Sequence, residues 1–367
     1  MSQNFDVCIR GGGVVGHTLA LLLASERLRV ALVVRPVVAQ TKGEDVRAYA
    51  LNNTSRELLE GLRAWPQGIS TTPVSKMEVW GDDGSELDFV AHAPPGDPLA
   101  WIVDVPALEQ QLAQTVGFQP QIEVLDKPVK AALQVICEGH KSNSRSEFGA
   151  TWTVKPYPQK AVAARLTSSQ PHRGIARQWF KNGEILALLP ISGAAGNSVA
   201  LVWSVSSERA DALQKLDAQA FCAALQADCG DRPGQLILAS ERSSWPLALS
   251  KADHWVGPGW ALAGDAAHTV HPLAGQGLNL GLADVAELAG VIGKREYWRG
   301  LGDERLLRRY ERARKADVAA MATVTDGLHG LFAQTDVRWQ TLRHWGLKNF
   351  ARSGPLKSWV VRQATGL

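Results

Sequence analysis

The segment Gly264-Asp265-Ala266-Ala267-His268-Thr269-Val270-His271-Pro272-Leu273-Ala274-Gly275-Gln276-Gly277-Leu278-Asn279 places an acid, two histidines, a proline and a set of glycines within one short run. A carboxylate at Asp265 can accept hydrogen bonds from the hydroxyls of a sugar alcohol. Pro272 is rigid and apolar and suits the face of a flat ring. Gly275 and Gly277 expose backbone N–H groups ahead of an apolar run, residues 278–292, that predicts a helix. Those donors and the helix dipole stabilise negative charge on a bound group. His268 and His271 form an H-x-x-H pair, but no carboxylate or cysteine at helical spacing joins them. That pattern favours histidines that fix the loop over a metal site. Pro272 and His271 flank the expected ring site, and no catalytic base is assigned.

The elements that must position this segment start at the other end of the chain. Residues 6–10 predict a strand, 17–25 a helix and 30–34 a second strand, a βαβ opening. Between them Gly11, Gly13 and Gly16 satisfy G-x-G-x-x-G. The first glycine permits a tight turn, the second lets a pyrophosphate approach the backbone, and the third lets the helix pack on the strand. The second strand of such a unit ordinarily ends in an acid that holds the ribose hydroxyls, yet here it runs Val33-Val34-Arg35. An arginine there can hold a 2′-phosphate, so this end alone would favour NADP. NADP would leave the Gly264–Asn279 segment without a purpose. FAD is a dinucleotide at one end and a reducible ring at the other, and the two segments together predict FAD.

Farther along, residues 54–62 predict a helix capped by Asn53 or Thr54, and 74–80 and 86–90 predict strands joined by Gly81-Asp82-Asp83-Gly84. Residues 161–166, 174–180, 185–190 and 199–205 alternate as strands. From residue 260 the chain returns to strand, glycine loop and helix, and 304–350 is largely helical in pattern. The expected fold class is α/β. A discontinuous, Rossmann-like doubly wound FAD-binding domain (1–70, 100–150, 255–300) is interleaved with a substrate domain on an antiparallel sheet (71–99, 151–254), and a helical C-terminal region (301–367) follows.

Composition narrows the classes. A net charge of +3 on 367 residues, with no long block of one sign, argues against a nucleic-acid binder. Four cysteines without a CxxC pair or a Cys/His zinc spacing indicate neither a disulfide framework nor a structural metal. No leader is visible and no apolar run approaches about 18 residues, so a cytoplasmic chain is expected, at most peripheral to the inner face of a membrane. Thirteen tryptophans, and a basic tail holding Arg338, Arg343, Lys348, Arg352 and Trp359, leave contact with a membrane or a biosynthetic complex open beside a core-filling role.

The stretch from Gly264 to Asp284 resembles the Gly-Asp motif of single-component flavoprotein aromatic hydroxylases, most closely the ubiquinone-biosynthesis hydroxylases. Glu44-Asp45-Val46-Arg47-Ala48-Tyr49-Ala50-Leu51-Asn52 resembles the family segment whose arginine, here Arg47, lies near the flavin. Gln178-Trp179-Phe180, Gly183 and Leu188-Leu189-Pro190 resemble its substrate-domain strands, and Gly346-Leu347 to Gly366-Leu367 its C-terminal end. The resemblance spans nearly the whole chain. It implies hydroxylation of an aromatic quinone precursor with a polyprenyl tail, NAD(P)H as reductant and O2 as oxygen source. It also implies FAD contacts at Gly11, Gly13, Gly16, Arg47, Gly264, Asp265, Pro272, Gly275, Gly277, Leu278 and Asn279.

The pattern departs in its middle motif, Asp-Gly-x-x-Ser-x-x-Arg, whose counterpart is Cys137-Glu138-Gly139-His140-Lys141-Ser142-Asn143-Ser144-Arg145. Glu138 replaces the aspartate, and residues 117–135 form a shorter segment than the family's hairpin. With Arg10 and Arg35 these changes crowd the pyrophosphate and adenosine side. Two consequences stay open: a chain whose arginines meet the pyrophosphate differently, or a lipid-binding scaffold with weakened FAD affinity.

Overall fold

The computed structural model describes residues 5–35, 45–82, 84–91, 98–193, 195–270 and 276–333, the side chains of Ile69 and of residues beyond 320 excepted. Phe5–Arg10 lies inside a six-stranded sheet whose order is Val256–Gly257, Trp260–Leu262, Ala131–Ile136, Phe5–Arg10, Val30–Val33, Ile122–Leu125. Every neighbour is parallel except the edge pair of 256–257 with 260–262. Strands in such a sheet must be apolar on both faces. Val7 and Ile9 enter the large core with the helix Val14–Ser25, while Cys8, Ala31 and Val33 pack on the other face against Val129 and Leu125. Val129 is the one residue of the short segment 126–130 in that cover, beside Phe5, Leu125 and Ala131.

The second sheet runs His268–Thr269, Ser243–Ala252, Trp152–Ser168, Ser198–Ser206, Glu184–Ile191, Ile175–Lys181, Lys76–Trp80, Glu86–Val90, with Leu236–Leu238 also paired to Trp152–Ser168. It is antiparallel apart from the parallel pair of Ile175–Lys181 with Lys76–Trp80. Alternate residues Val162, Ala164 and Leu166 join Leu186, Leu188, Leu201 and Trp203 beneath the helices Ser207–Lys215 and Ala218–Cys229. Burying apolar side chains of this size stabilises the fold by roughly 1.5–3 kcal/mol each. A small antiparallel sheet of Ala48–Leu51, Ala100–Asp104 and Thr71–Val74 joins the halves: Leu51 and Val103 face the first core, Val74 and Ile102 a cluster under the second sheet.

Several local expectations shift. The segment 74–80 is two strands in two sheets, broken at Ser75, whose N–H donates to Gly174 O at 3.0 Å. The helix after the small sheet starts at Asn53, and Asn52 caps it, its Oδ1 accepting from Ser55 N–H at 2.8 Å. Ser243–Ala252 contains Pro246, a poor residue for a central strand, yet it pairs with Trp152–Ser168 across a register shift between Pro156 and Lys160. Helix Glu304–Ala333 agrees with the helical pattern read from 304, and residues 334–350 lie outside the described residues.

Candidate functional site

The glycine loop is built by steric exclusion. A Cβ on Gly16 would lie 1.9 Å from Gly11 O, and one on Gly11, at φ +124°, would lie 2.3 Å from Cys137 O. Only glycine lets strand, turn and helix close this tightly. Gly13 differs: nothing lies within 4 Å of a Cβ built on it. Gly13 is the N-cap of Val14–Ser25 and makes no side-chain cap bond, so this helix start has no acid of its own to answer its dipole. Below it, His17 Nδ1 lies 3.1 Å from Gly13 O, and burial pushes this imidazole below its ordinary range.

Two helices and a turn converge on Val15. A Cβ on Gly281 or Gly264 would meet the Val15 side chain at 2.9 and 3.2 Å, so both glycines are spacers that bring the Gly264–Ala266 turn and the helix Gln276–Gly293 against the first helix. The result is an open cavity of about 270 Å³ lined by Gly11, Gly13, Arg47, Asp265, Gly277 and Leu278, among others. A neighbouring cavity of about 370 Å³ shares Gly11, Gly12 and Glu138 and continues past Val34 and Arg35. The two form one elongated groove across the carboxyl ends of the parallel strands.

Sequence reasoning missed Tyr49, Val105, Glu109 and Cys137 as lining residues. Arg47 is held by Asp45 (Nη2 to Oδ2 2.6 Å) and lies 3.7 Å from Glu109. Burial raises Glu109 above the usual carboxylate range although Arg47 opposes it. Burial also keeps the Cys137 thiol protonated, pushed far up. Asp265 is open to solvent on its cavity side and densely surrounded elsewhere; that surrounding raises its carboxyl, with His268 and His140 pulling the other way.

Behind the turn sits a charged cluster that sequence reasoning also missed, apart from a loop-fixing role for His268. Asp284 is fully buried. Its Oδ2 accepts from Gly264 N–H at 3.0 Å and lies 2.7 Å from His268 Nε2, while Oδ1 accepts from Arg314 Nε at 2.8 Å. Burial acts to raise this carboxyl, but His268 and Arg314 outweigh it and hold it below the ordinary range. The one clue in the sequence was Asp284 itself, an acid set among apolar residues in the helix Gln276–Gly293. Trp255 stacks on His268 with centroids 4.8 Å apart, and Tyr310 donates its hydroxyl to Leu262 O at 2.8 Å.

Asn279 does not line the groove. Its Oδ1 accepts from Asn52 N–H (3.0 Å) and Ser55 Oγ (2.8 Å), and its Nδ2 donates to Ala50 O (2.8 Å), which locks the helix start to the small sheet. Arg10 also faces away from the groove, toward Glu147 (2.5 Å), Gln134 (3.2 Å) and the Phe148 ring. The middle motif ends on Arg145, whose guanidinium reaches His140 O and Ala266 O and so ties this loop to the Gly264 turn. His271, Pro272 and Gly275 lie outside the described residues. Among the described residues no group of three or more His, Cys, Asp or Glu is placed to hold a metal ion.

These features suit FAD. The open space over Gly13 and the helix start without a side-chain cap fit a pyrophosphate, and an elongated groove with an accessible acid at Asp265 fits a sugar-alcohol chain.

Comparison with known proteins points the same way. A family profile described as FAD binding domain matches residues 123–325. Ubiquinone hydroxylase UbiL of Rhodospirillum rubrum is 32% identical over 98% of this chain and 89% of its own length. The 3-demethoxyubiquinol 3-hydroxylase of Escherichia coli is 29% identical, with full coverage of both chains. The crystal structure of PqsL from Pseudomonas aeruginosa superposes with a TM-score of 0.78 at 20% identity, covering 95% of this chain and 100% of that one, a likeness of fold. With its groove, its glycine loop and these relatives, the chain belongs to the FAD-binding flavoprotein monooxygenase family that includes the ubiquinone hydroxylases.

Proposed function

We propose that this protein hydroxylates an aromatic ring of a polyprenylated quinone precursor in ubiquinone biosynthesis, with NAD(P)H as electron donor and O2 as oxygen source. One oxygen atom enters a ring C–H bond and the other leaves as water, with two electrons and a proton from NAD(P)H and a second proton from solvent. FAD, when bound, supplies the chemistry that couples the electrons to dioxygen. The chain supplies the rest. Gly11, Gly13 and Gly16 open the helix start to the pyrophosphate, Asp265 accepts from the ribityl chain, Gly277 and Leu278 form the wall beside it, and Gly264 lets the turn close on Val15. Pro272 and Gly275 belong to the same proposed contact. Arg47, fixed by Asp45, adds positive charge at the groove wall, and Asn279 acts by holding the helix start in register.

In this reading residues 1–70, 100–150 and 255–300 form the FAD-binding unit, 71–99 and 151–254 the substrate unit and 301–367 a helical C-terminal region. Among the described residues no helix is long and apolar enough to cross a membrane. We read any membrane contact as peripheral, serving delivery of an apolar substrate.

The observation that carries the proposal is the convergence of the Gly11–Gly16 loop and the Gly264–Asp265 turn on one groove. The test is an absorption spectrum of the purified chain after loading with FAD and removal of the excess, followed by turnover under 18O2 with a prenylated phenol. One flavin per chain and label in the product support it. A chain that takes up no flavin overturns it, and flavin without label reduces the activity to that of a reductase.

A further inference from the structure

The adenosine end of the groove lacks the residue that this fold class ordinarily places there. After the strand Val30–Val33 come Val34 and Arg35, and neither can accept from a ribose. A carboxylate nevertheless reaches this place from another strand. Glu138, two residues beyond Ala131–Ile136, lines both cavities and, among the described residues, is the only acid lining the second.

Glu138 is held as a preorganised acceptor. Ser142 Oγ donates to its Oε2 at 2.7 Å, Ser144 Oγ to Oε1 at 3.0 Å, and Ser144 N–H approaches Oε2 at 3.4 Å. Its side chain is only 12% accessible. The fourth partner differs in kind: Arg35 Nη2 reaches Oε1 at 3.0 Å from a side chain that is 66% accessible. Exposed ion pairs contribute little and need no such scaffold, whereas two serine hydroxyls orienting a half-enclosed carboxylate are what a ligand contact requires. Arg35 is the one partner that can swing away without disturbing the fold. Kept nearby, it and Lys141 offset the repulsion between Glu138 and a pyrophosphate.

We propose that Glu138 accepts from the adenosine-ribose hydroxyls of FAD, the task given elsewhere to an acid at the end of the second strand, and that Arg35 is the exchangeable partner a ribose hydroxyl displaces. The extra methylene of Glu138 relative to aspartate then provides reach across the first strand. This inference rests on the FAD reading and deepens it.

The experiment titrates the full-length chain with FAD and with an FAD analogue lacking both adenosine-ribose hydroxyls, reading affinity from flavin fluorescence. A hydrogen bond to a charged acceptor corresponds to a preference of about tenfold or more for FAD in the native chain. Glu138→Gln, which keeps the shape and one accepting oxygen but removes the charge, should lower that preference to about threefold or less, and Glu138→Ala should abolish it. Arg35→Ala should retain it. Preference that persists in both Glu138 variants, or is absent from a native chain that does bind FAD, overturns this inference and leaves the flavoprotein reading intact. A native chain that binds neither compound overturns both.

Discussion

Arg314, on the last described helix, donates its Nε–H to Asp284 at 2.8 Å, and the opposite oxygen of the same carboxylate carries the Gly264 N–H of the flavin-side turn. The turn is therefore anchored to a buried ion pair. Asp284→Ala should cost roughly 3–5 kcal/mol of unfolding free energy, because it strands a buried guanidinium. Replacing the pair together, Asp284→Leu with Arg314→Met, should restore much of that stability while flavin affinity stays low, since Gly264 N–H still lacks its acceptor. Urea unfolding and flavin titration of the same proteins separate the two effects.

Gly13 and Gly16 make opposite predictions within one motif. Gly16→Ala should unfold or strongly destabilise the chain, because the new methyl would lie 1.9 Å from Gly11 O. Gly13→Ala meets no atom of the protein and should change stability by about 1 kcal/mol or less, yet lower FAD affinity at least about tenfold by filling the space the ligand needs. Thermal denaturation with and without FAD measures both.

Asp265→Ala should leave unfolding free energy within about 1 kcal/mol of the native value and weaken FAD binding by about tenfold or more, the size of one hydrogen bond to a charged acceptor. Equal affinity in the variant would remove Asp265 from the site.

Acid should loosen the protein at two buried histidines. Burial holds His17 and His172 below the ordinary imidazole range. Their folded-state pKa values lie below the unfolded value of about 6.5, so the unfolded chain binds more protons through this interval and unfolding free energy falls as pH drops below about 6.5. Urea midpoints between pH 5 and 8 should show this slope. His17→Gln and His172→Gln should each flatten part of it.

Asp284 contributes at lower pH. Its folded pKa is depressed, so its contribution is full above the unfolded carboxylate value near 4 and is lost as pH falls through the folded value.

The glycine loop was legible in the sequence because its constraint is local: three glycines at fixed spacing, each with a steric reason visible within a few residues. The Gly264–Asp265 turn was legible for the same reason. What escaped was decided across the chain. Nothing near Ser75 announces that its two sides belong to different sheets, since the break follows from where Gly174 and Ala100–Asp104 lie. Glu109 enters the cavity only because the helix Val105–Gly117 packs beside Arg47. Asn279 sits in a flavin-loop motif, but its partners Asn52 and Ser55 come from more than 220 residues earlier, so the sequence alone assigned it to the ligand instead. Whether Arg10 meets the pyrophosphate was open in the sequence, and strand alternation turns its side chain to the other face, toward Gln134 and Glu147.

The Trp260–Leu262 strand, which completes the parallel sheet beside Ala131–Ile136, has a consequence for biosynthesis. The groove combines the first glycine loop with Arg47, Glu109, Glu138 and the turn that follows this late strand. The turn and helix start that complete it are made only after this late strand, and until Trp260–Leu262 is made the edge of Ala131–Ile136 that it covers is unpaired. The part of the groove beside Asp265, Gly277 and Leu278 is therefore the last to be assembled as the chain is made, well after the part lined by Gly11, Val34 and Glu138.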